Sequence, residues 1–505
     1  MVFDVKSNLK KKEFLNFISE GQLYPLYKEV SYREPYKIYE NLNIEGEGIL
    51  LESVKGPFNI ARYSFIAFDP YLIFKSKDRE IEIRKSPQYL SSVVSFREPL
   101  EKLKELLKVY PQKDLDELPP FQGGAIGLIS YDFVRYLEKI PELSIDDIKI
   151  PDVHFIFVDK VIAFDHMREK AWIIISPGVR ETELGYRDLS NIDWNNAYDK
   201  AVEWLSLISE KIDDLNLDKE EKVLKANNFF VPELNYEMTK KDYMDIVKKA
   251  KEYIAQGDIF QANLSQRISS YVGDISPWDI YKTLRKVNPS PFSVYADLGD
   301  YYIVSSSPER LIKVKGVTVE TRPIAGTRPR GKNIDEDEML RAELLLNEKE
   351  RAEHIMLIDL ERNDIGKVSE FGSVNVNELM ITEDYSHVIH IVSNIRGILR
   401  KDKDVFDVIK AVFPGGTITG VPKVRCMEII EELEPVRRGA YTGSIGYISF
   451  SGNMDLNIVI RSFLIKCKVA YVQAGAGIVA DSDPEREYYE TLKKAEALIK
   501  TLNKQ

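Results

Sequence analysis

Two Glu-x-x-Glu steps in the last third of the chain have the residue types and spacing to do chemistry. Glu350 and Glu353 lie in NEKERAEHIMLIDLERNDIGKV, and Glu487 and Glu490 in ADSDPEREYYETLKKAEALIKTL. Both segments read as helical, and a step of three puts each pair on one helix face. Four carboxylates drawn together either coordinate a hard cation or ionise incompletely. The pattern suits Mg²⁺, which takes one or two carboxylates directly and keeps water in the rest of its shell. Taken singly, each pair also reads as a solvated face, with Glu490 paired to Lys494 at i,i+4.

Other residues gain meaning only in company. Arg461 closes the apolar strand MDLNIVIRSF, and a buried arginine implies a carboxylate partner, either structural or from a substrate. His390, three residues after His387 in YSHVIHIVSN, reads as a core residue or a catalyst. Glu309 in SSSPERL reads as a turn residue or a proton donor. Residues 475–480, GAGIVA, match a loose dinucleotide fingerprint, but the following helix starts only at Pro484, which excludes that fold. FPGGTITGVPK resembles a phosphate loop, yet Val421 and Pro422 stand where lysine and a hydroxyl residue are required. Both glycine segments read as turns whose N–H groups face a small anion.

The elements that must position these groups are short strands and amphipathic helices. GILLESV, YSFIAF and YLIFKSK are β-rich runs. EPLEKLKELLKVY carries Leu100, Leu103, Leu107 and Tyr110 on one stripe. Thr239 and Gly257 bracket a helix, and Asp483 and Pro484 open the last one. Strands that follow one another across tight turns favour antiparallel sheets with helices outside. The charge-dense stretch from Ser209 suggests residues 1–208 as an N-terminal region, 209–235 as a polar connection and 236–505 as a catalytic core.

The chain of 505 residues is 44% hydrophobic and 30% charged, which describes a globular protein with ample core material. Its net charge of −11 argues against nucleic acid and means an anionic substrate needs a local metal or arginine. Two cysteines, Cys426 and Cys467, support no disulfide framework, and no apolar run is long enough to span a membrane. A cytoplasmic setting is expected.

Together the segments GDIFQANLSQR, NPSPF, SSSPER, TRPIAGTRPRG, KERAEHIMLIDLERNDIGKV, FPGGTITGVPKVRCMEIIEELEPVRRGAYTGSIGYISFSGNMD and QAGAGIVADSDPEREYYET resemble the chorismate-utilising enzymes over residues 240–500. LLES and ARYSFIAFDP are similar to the region preceding this core in the aminating branch, the component I chains of anthranilate and aminodeoxychorismate synthases. The resemblance implies an α+β fold with two large antiparallel sheets packed on each other and helices on the outer faces. It implies Mg²⁺ held by Glu353 and Glu490 directly and by Glu350 and Glu487 through water. Arg461, Tyr441 and the Gly477 backbone would grip the enolpyruvyl carboxylate of chorismate. Ala325, Gly326, Thr327, Thr417 and Gly475 would line the ring, with Lys494 a cationic neighbour. Glu309 would be the general acid, and His390 would serve pyruvate elimination.

Gln261 stands where water-adding relatives carry a basic lysine, which favours ammonia as nucleophile. The resemblance further implies conversion of chorismate to anthranilate and pyruvate, with ammonia from a separate glutamine amidotransferase subunit. It also implies a tryptophan feedback pocket at Glu52, Ser53, Pro289, Ser290 and Pro291, although Ser293 and Asn457 depart from the usual residues there. The alternatives are an aminodeoxychorismate synthase or a non-catalytic chorismate-binding regulator.

Overall fold

Several of the apolar runs form strands that are buried on both faces. Gly124–Ile129, Val153–Val158, Lys160–Asp165 and Ser444–Ser449 leave no residue exposed, so each needs cover above and below. Alternation distributes their side chains: Val161 and Ala163 face one core, Ile162 and Phe164 the other. A computed structural model of the chain describes residues 7–42, 44–85, 90–95, 98–182, 189–214, 232–384 and 388–504. Among these residues two sheets of twelve strands each account for the pattern, and the neighbouring strands of both sheets run antiparallel. The expected α+β architecture is present.

The sheets lie face to face over a shared core. Ile49, Phe65, Val294 and Ile303 of the first sheet meet Ile126, Ile156, Ile445 and Tyr447 of the second. The outer face of the first sheet is covered by Trp194–Asp213, Pro277–Val287 and Pro484–Leu502. Pro99–Lys108, Glu348–Gly366 and Val405–Val412 cover the second. No helix among the described residues is long and apolar enough to cross a membrane.

Three sequence expectations need correction or qualification. First, the connection at 209–235 does not divide the sheets. Gly48–Glu52 pairs with Phe292–Asp297 in one sheet, and Gly124–Ile129 with Ser444–Ser449 in the other, so early and late strands share one core. The helix Trp194–Asp213 also runs into the start of that connection, where Ser209 and Ile212 are buried; residues 215–231 lie outside the described set. Second, Gly475 and Gly477 are not in a turn. They belong to the strand Val469–Ile478, opposite Ser265 and Asn263. Third, FPGGTITGVPK is a bend and a single helical turn at Gly416–Ile418, followed by Gly420–Val421 pairing with Gln261–Ala262. The helix caps are as read: Thr239 and Asp242 form a reciprocal capping box, Gly257 adopts φ +85°, and the Asp483 side chain accepts the Arg486 N–H.

The chain crosses between the sheets beside the candidate site. Tyr301–Ser307 lies in the first sheet and Arg310–Lys315 in the second, and Met454–Asn457 and Ser462–Lys466 make the reverse crossing. Beneath them Arg438 grips both oxygens of Glu434 and donates to the carbonyls of Ile418 and Asn263. Both charges are buried. Removing one partner strands the other, so Arg438→Met is expected to cost about 3–5 kcal/mol of stability. Chemical denaturation checks this, and adding Glu434→Leu should recover part of the loss.

Candidate active site

The helix Glu348–Gly366 carries one Glu pair near its N-terminus and the helix Pro484–Leu502 the other. The two faces address each other: Glu353 feels the charge of Lys494, and Glu487 feels that of Lys349. Each acid has a protein partner. Gln261 Nε2 donates to Glu353 Oε1 at 2.8 Å, Arg328 Nη1 to Glu350 Oε1 at 2.8 Å, and Lys494 Nζ lies 2.7 Å from Glu490 Oε1. The Ser482 hydroxyl bonds Glu487. Among the described residues no three His, Cys, Asp or Glu side chains form a ready-made metal cluster. The donor chemistry nonetheless fits a hard cation. All four groups are oxygen donors, and burial together with a like-charged neighbour pushes Glu353 and Glu487 upward. Glycine keeps room beside them, since a Cβ on Gly477 would stand 2.5 Å from Gln261 Nε2 and 3.8 Å from Glu353 Oε1.

Cations stand beside these acids. Arg461 has φ +54°, a left-handed conformation that is rare for a side chain of its size. Its Nη1 donates to the Lys494 carbonyl, and no carboxylate pairs with it among the described residues. Burial lowers its pKa, opposed by Tyr441 and Glu490, which places all three together. Tyr441 is pushed up to about 12 by burial and keeps its proton. Lys494 Nζ donates to the Gly475 carbonyl at 2.9 Å. A Cβ on Gly475 would come within 2.9 Å of the Tyr441 hydroxyl.

The same region holds a buried acid that is about half protonated at pH 7 and a buried base that is neutral there. Glu309 is 5% exposed, and burial pushes its carboxyl up to about 7 against the opposing effects of Thr417, the Ile324 backbone and Lys494. His390 is pushed down to about 4 by burial. Its Nδ1 lies 2.9 Å from Thr327 Oγ1 and 3.3 Å from the Gly326 carbonyl, so Nδ1 carries the hydrogen and Nε2 is the basic nitrogen. Ala325 lies beside Ile324 in the same strand, Ile324–Pro329. Four buried oxygens in this region lack a hydrogen-bond partner of regular geometry: Gln261 Oε1, Asn263 Oδ1, Glu309 Oε1 and Thr417 Oγ1. Native interiors rarely leave such atoms unpaired, and their convergence marks a polar ligand site.

These features coincide with relationship. Residues 47–500 match the chorismate binding enzyme family. The chain belongs to the chorismate-binding enzymes. It is 46% identical over 456 residues to aminodeoxychorismate synthase component 1 of Bacillus subtilis strain 168, covering 90% of this chain and 91% of that protein. It is 44% identical over 470 residues to anthranilate synthase component 1 of Acetivibrio thermocellus, covering 93% and 92%. The structure of anthranilate synthase component I from Streptococcus pneumoniae TIGR4 superposes with a TM-score of 0.74 at 36% identity, over 87% of this chain and 92% of that one.

The candidate site of this chorismate-binding enzyme also includes residues that motif reading passed over. Asn263 follows Gln261 by two along one strand, so period-two alternation puts both on one face. Arg328, in the quoted TRPRG, holds Glu350. Glu361 lies on the same helix as Glu353, eight residues on, and burial pushes it up to about 8. His387 lies outside the described residues.

A second polar cluster lies where the early and late strands of the first sheet meet. Glu52 is 3% exposed and accepts the Tyr281 hydroxyl at 2.6 Å and Arg285 Nε at 2.8 Å. Ser53 Oγ lies 2.8 Å from the Tyr63 carbonyl and 3.1 Å from that of Pro291. Ser290, in the turn with Pro289, receives the Val54 N–H and the Ser293 hydroxyl on its carbonyl. The residues expected to form an effector pocket are therefore neighbours.

Keeping Glu309 neutral has a thermodynamic signature. Between 4.5 and about 7 the unfolded chain ionises this group while the folded protein holds its proton, so stability falls as pH rises through that window. Glu309→Gln removes the penalty. The variant is expected to be more stable than wild type by about 3 kcal/mol at pH 8 and to match it below pH 4.5, read from denaturation curves across pH.

Proposed function

We propose that this chain is the chorismate-aminating component of an anthranilate synthase. It would convert chorismate and ammonia to anthranilate, pyruvate and water. The observation that carries this reading is Ala325. The strand position beside the acid has no nucleophilic side chain, so C2 of the ring stays open to ammonia itself. In this reading Arg461 and Tyr441 hold the enolpyruvyl carboxylate as cation and hydrogen-bond donor. Glu309 donates its proton to the departing 4-hydroxyl, which leaves as water. Gln261 has no basic nitrogen and is not needed for a nucleophile that is already neutral and reactive. His390, neutral with Nε2 as its basic nitrogen, takes the ring proton as pyruvate is eliminated and the ring aromatises. Glu353, Glu490, Glu350 and Glu487 would hold Mg²⁺, which supplies Lewis-acid polarisation and orientation of the ring carboxylate when bound.

The 46%-identical Bacillus relative favours a second reading, amination at C4 with the pyruvyl ether retained. Both readings call for a separate subunit that releases ammonia from glutamine, and the polar cluster at Glu52 and Ser53 supports feedback by tryptophan.

Wild-type protein incubated with chorismate, ammonium and Mg²⁺ is expected to release pyruvate and fluorescent anthranilate without an added lyase. An aminated product still carrying its pyruvyl ether would establish the second reading instead. Glu353→Gln and Glu490→Gln should abolish turnover while the fold is kept, and calorimetry with Mg²⁺ alone should lose its signal in the same variants. Calorimetry with tryptophan tests the effector pocket; no heat at millimolar ligand would remove it.

A further inference from the structure

The acid and the arginine of the proposed reaction lie on different crossings, yet one hydroxyl joins the backbone at Glu309 to that at Ile458, three residues before Arg461. Glu309 sits on the crossing from Tyr301–Ser307 to Arg310–Lys315. Arg461 sits on the opposite crossing, from Met454–Asn457 to Ser462–Lys466. Ser305 faces Ser462 at one end of the paired crossings and Arg310 faces Asn457 at the other. Between them the regular ladders stop. The Ile458 N–H donates to the Glu309 carbonyl at 3.0 Å, and the Ser306 N–H to the Arg461 carbonyl at 3.1 Å. Ser307 is fully buried and its Oγ does two things there. It donates to the Ile458 carbonyl at 2.6 Å and accepts the Glu309 N–H at 3.3 Å. A hydroxyl has one hydrogen, and the short bond to Ile458 takes it, which leaves a lone pair for Glu309.

We propose that Ser307 is a positioning residue for the reaction, its hydroxyl fixing the general acid Glu309 and the carboxylate-binding Arg461 in one register. This rests on the reading of Glu309 as proton donor. Each side chain lies in a segment outside regular sheet pairing, so their spacing rests on the two backbone bonds, Ile458 N–H to Glu309 and Ser306 N–H to Arg461, together with this hydroxyl. No other side-chain hydroxyl among the described residues bonds both crossings at that point. Loss of the Ser307 hydroxyl leaves the Glu309 N–H unpaired, leaves the Ile458 carbonyl with the Ile460 N–H but without its link to the other crossing, and lets water reach the acid. The groups facing that acid are the Thr417 hydroxyl, the Ile324 backbone, Lys494 from the last helix and Glu361 from the acidic helix. None of them is altered by a change at Ser307.

The test compares Ser307→Ala with Ser305→Ala, a buried serine two residues away whose hydroxyl accepts only from Ser462 Oγ. Steady-state kinetics of anthranilate formation are measured across pH, with thermal midpoints for both variants. Ser307→Ala is expected to lower kcat/KM by roughly ten- to hundredfold, with kcat falling and KM for chorismate rising, since small misplacements of reacting groups cost that much. The alkaline limb of kcat/KM should also move to lower pH, because a better hydrated carboxyl loses its proton sooner. Ser305→Ala should match its thermal midpoint and leave the limb in place. Ser307→Cys, near in shape but a weak hydrogen-bonding group, should fall between wild type and alanine, and it decides the matter if the alanine variant does not fold. A limb that coincides with wild type in the folded Ser307 variant, with a kcat/KM loss no larger than that of Ser305→Ala, overturns the proposal. Failure of the underlying reading is separate, since it would appear as full turnover in Glu309→Gln.

Discussion

Two antiparallel sheets packed face to face must be joined by segments that leave one hydrogen-bond ladder before entering the other. Their polar backbone groups cannot reach water in a core lined by Ile303, Val294 and Ile445, so they must find one another. The crossings at Ser307–Arg310 and Asn457–Ser462 solve this by running side by side and exchanging bonds. The same solution fixes where the residues proposed for the chemistry lie. Side chains on a crossing are released from the in-and-out alternation of a strand and can turn into the space between the sheet ends. Glu309 and Arg461 occupy these positions, and the left-handed backbone at Arg461 turns its guanidinium toward Tyr441 and Glu490. Such a conformation is strained for arginine and persists where the surroundings over-determine it.

Burial then divides the ionisable groups into roles. The same removal of water that raises Glu309 lowers His390, so near pH 7 one site holds an acid that keeps about half of its proton and a neutral base. The carboxylates on the two helices lie among the cations, with Lys494 Nζ 2.7 Å from Glu490 Oε1 and Arg461 near the same acid. This charge balance is local. A chain with net charge −11 attracts no anion at long range, and the arginine, the lysine and any bound cation must do so at close range.

The local signals were legible in the residues. Capping at Thr239 and Asp483, the three-residue steps of Glu350–Glu353 and Glu487–Glu490, and the pairing of Glu490 with Lys494 all follow from helix geometry. What escaped depends on partners far apart in the chain. Gly475 and Gly477 look like a turn because glycine is permissive. Their use in a strand follows from what lies opposite, where Asn263, Gln261 and Tyr441 need the space that a Cβ would fill. The connection at 209–235 looks like a boundary because it is polar, but strand pairing of Glu52 with Ser293 ignores it. Glu361 gave no motif signal. Thr321 Oγ1 reaches both the Leu311 carbonyl and Glu361, and burial pushes that acid up to about 8 against the Thr321 bond.

The second polar cluster is tied to the first by the same strand. Asn288 Nδ2 donates to Ser306 Oγ at 3.2 Å, the Ser306 hydroxyl reaches the Asn288 carbonyl and Ser290 Oγ, and the Ser306 N–H holds the Arg461 carbonyl. Asn457 Nδ2 approaches the Phe292 carbonyl at 3.4 Å from the other crossing. A cationic ligand at Glu52 would have to share a carboxylate already satisfied by Arg285 and Tyr281, so binding there must rearrange existing bonds. A ligand that shifted the turn at Pro289–Pro291 would meet Ser306 next, and beyond Ser306 lie Arg461 and Glu309, the residues proposed for the chemistry. Coupling between the clusters therefore needs no long pathway; it needs one strand end that serves both.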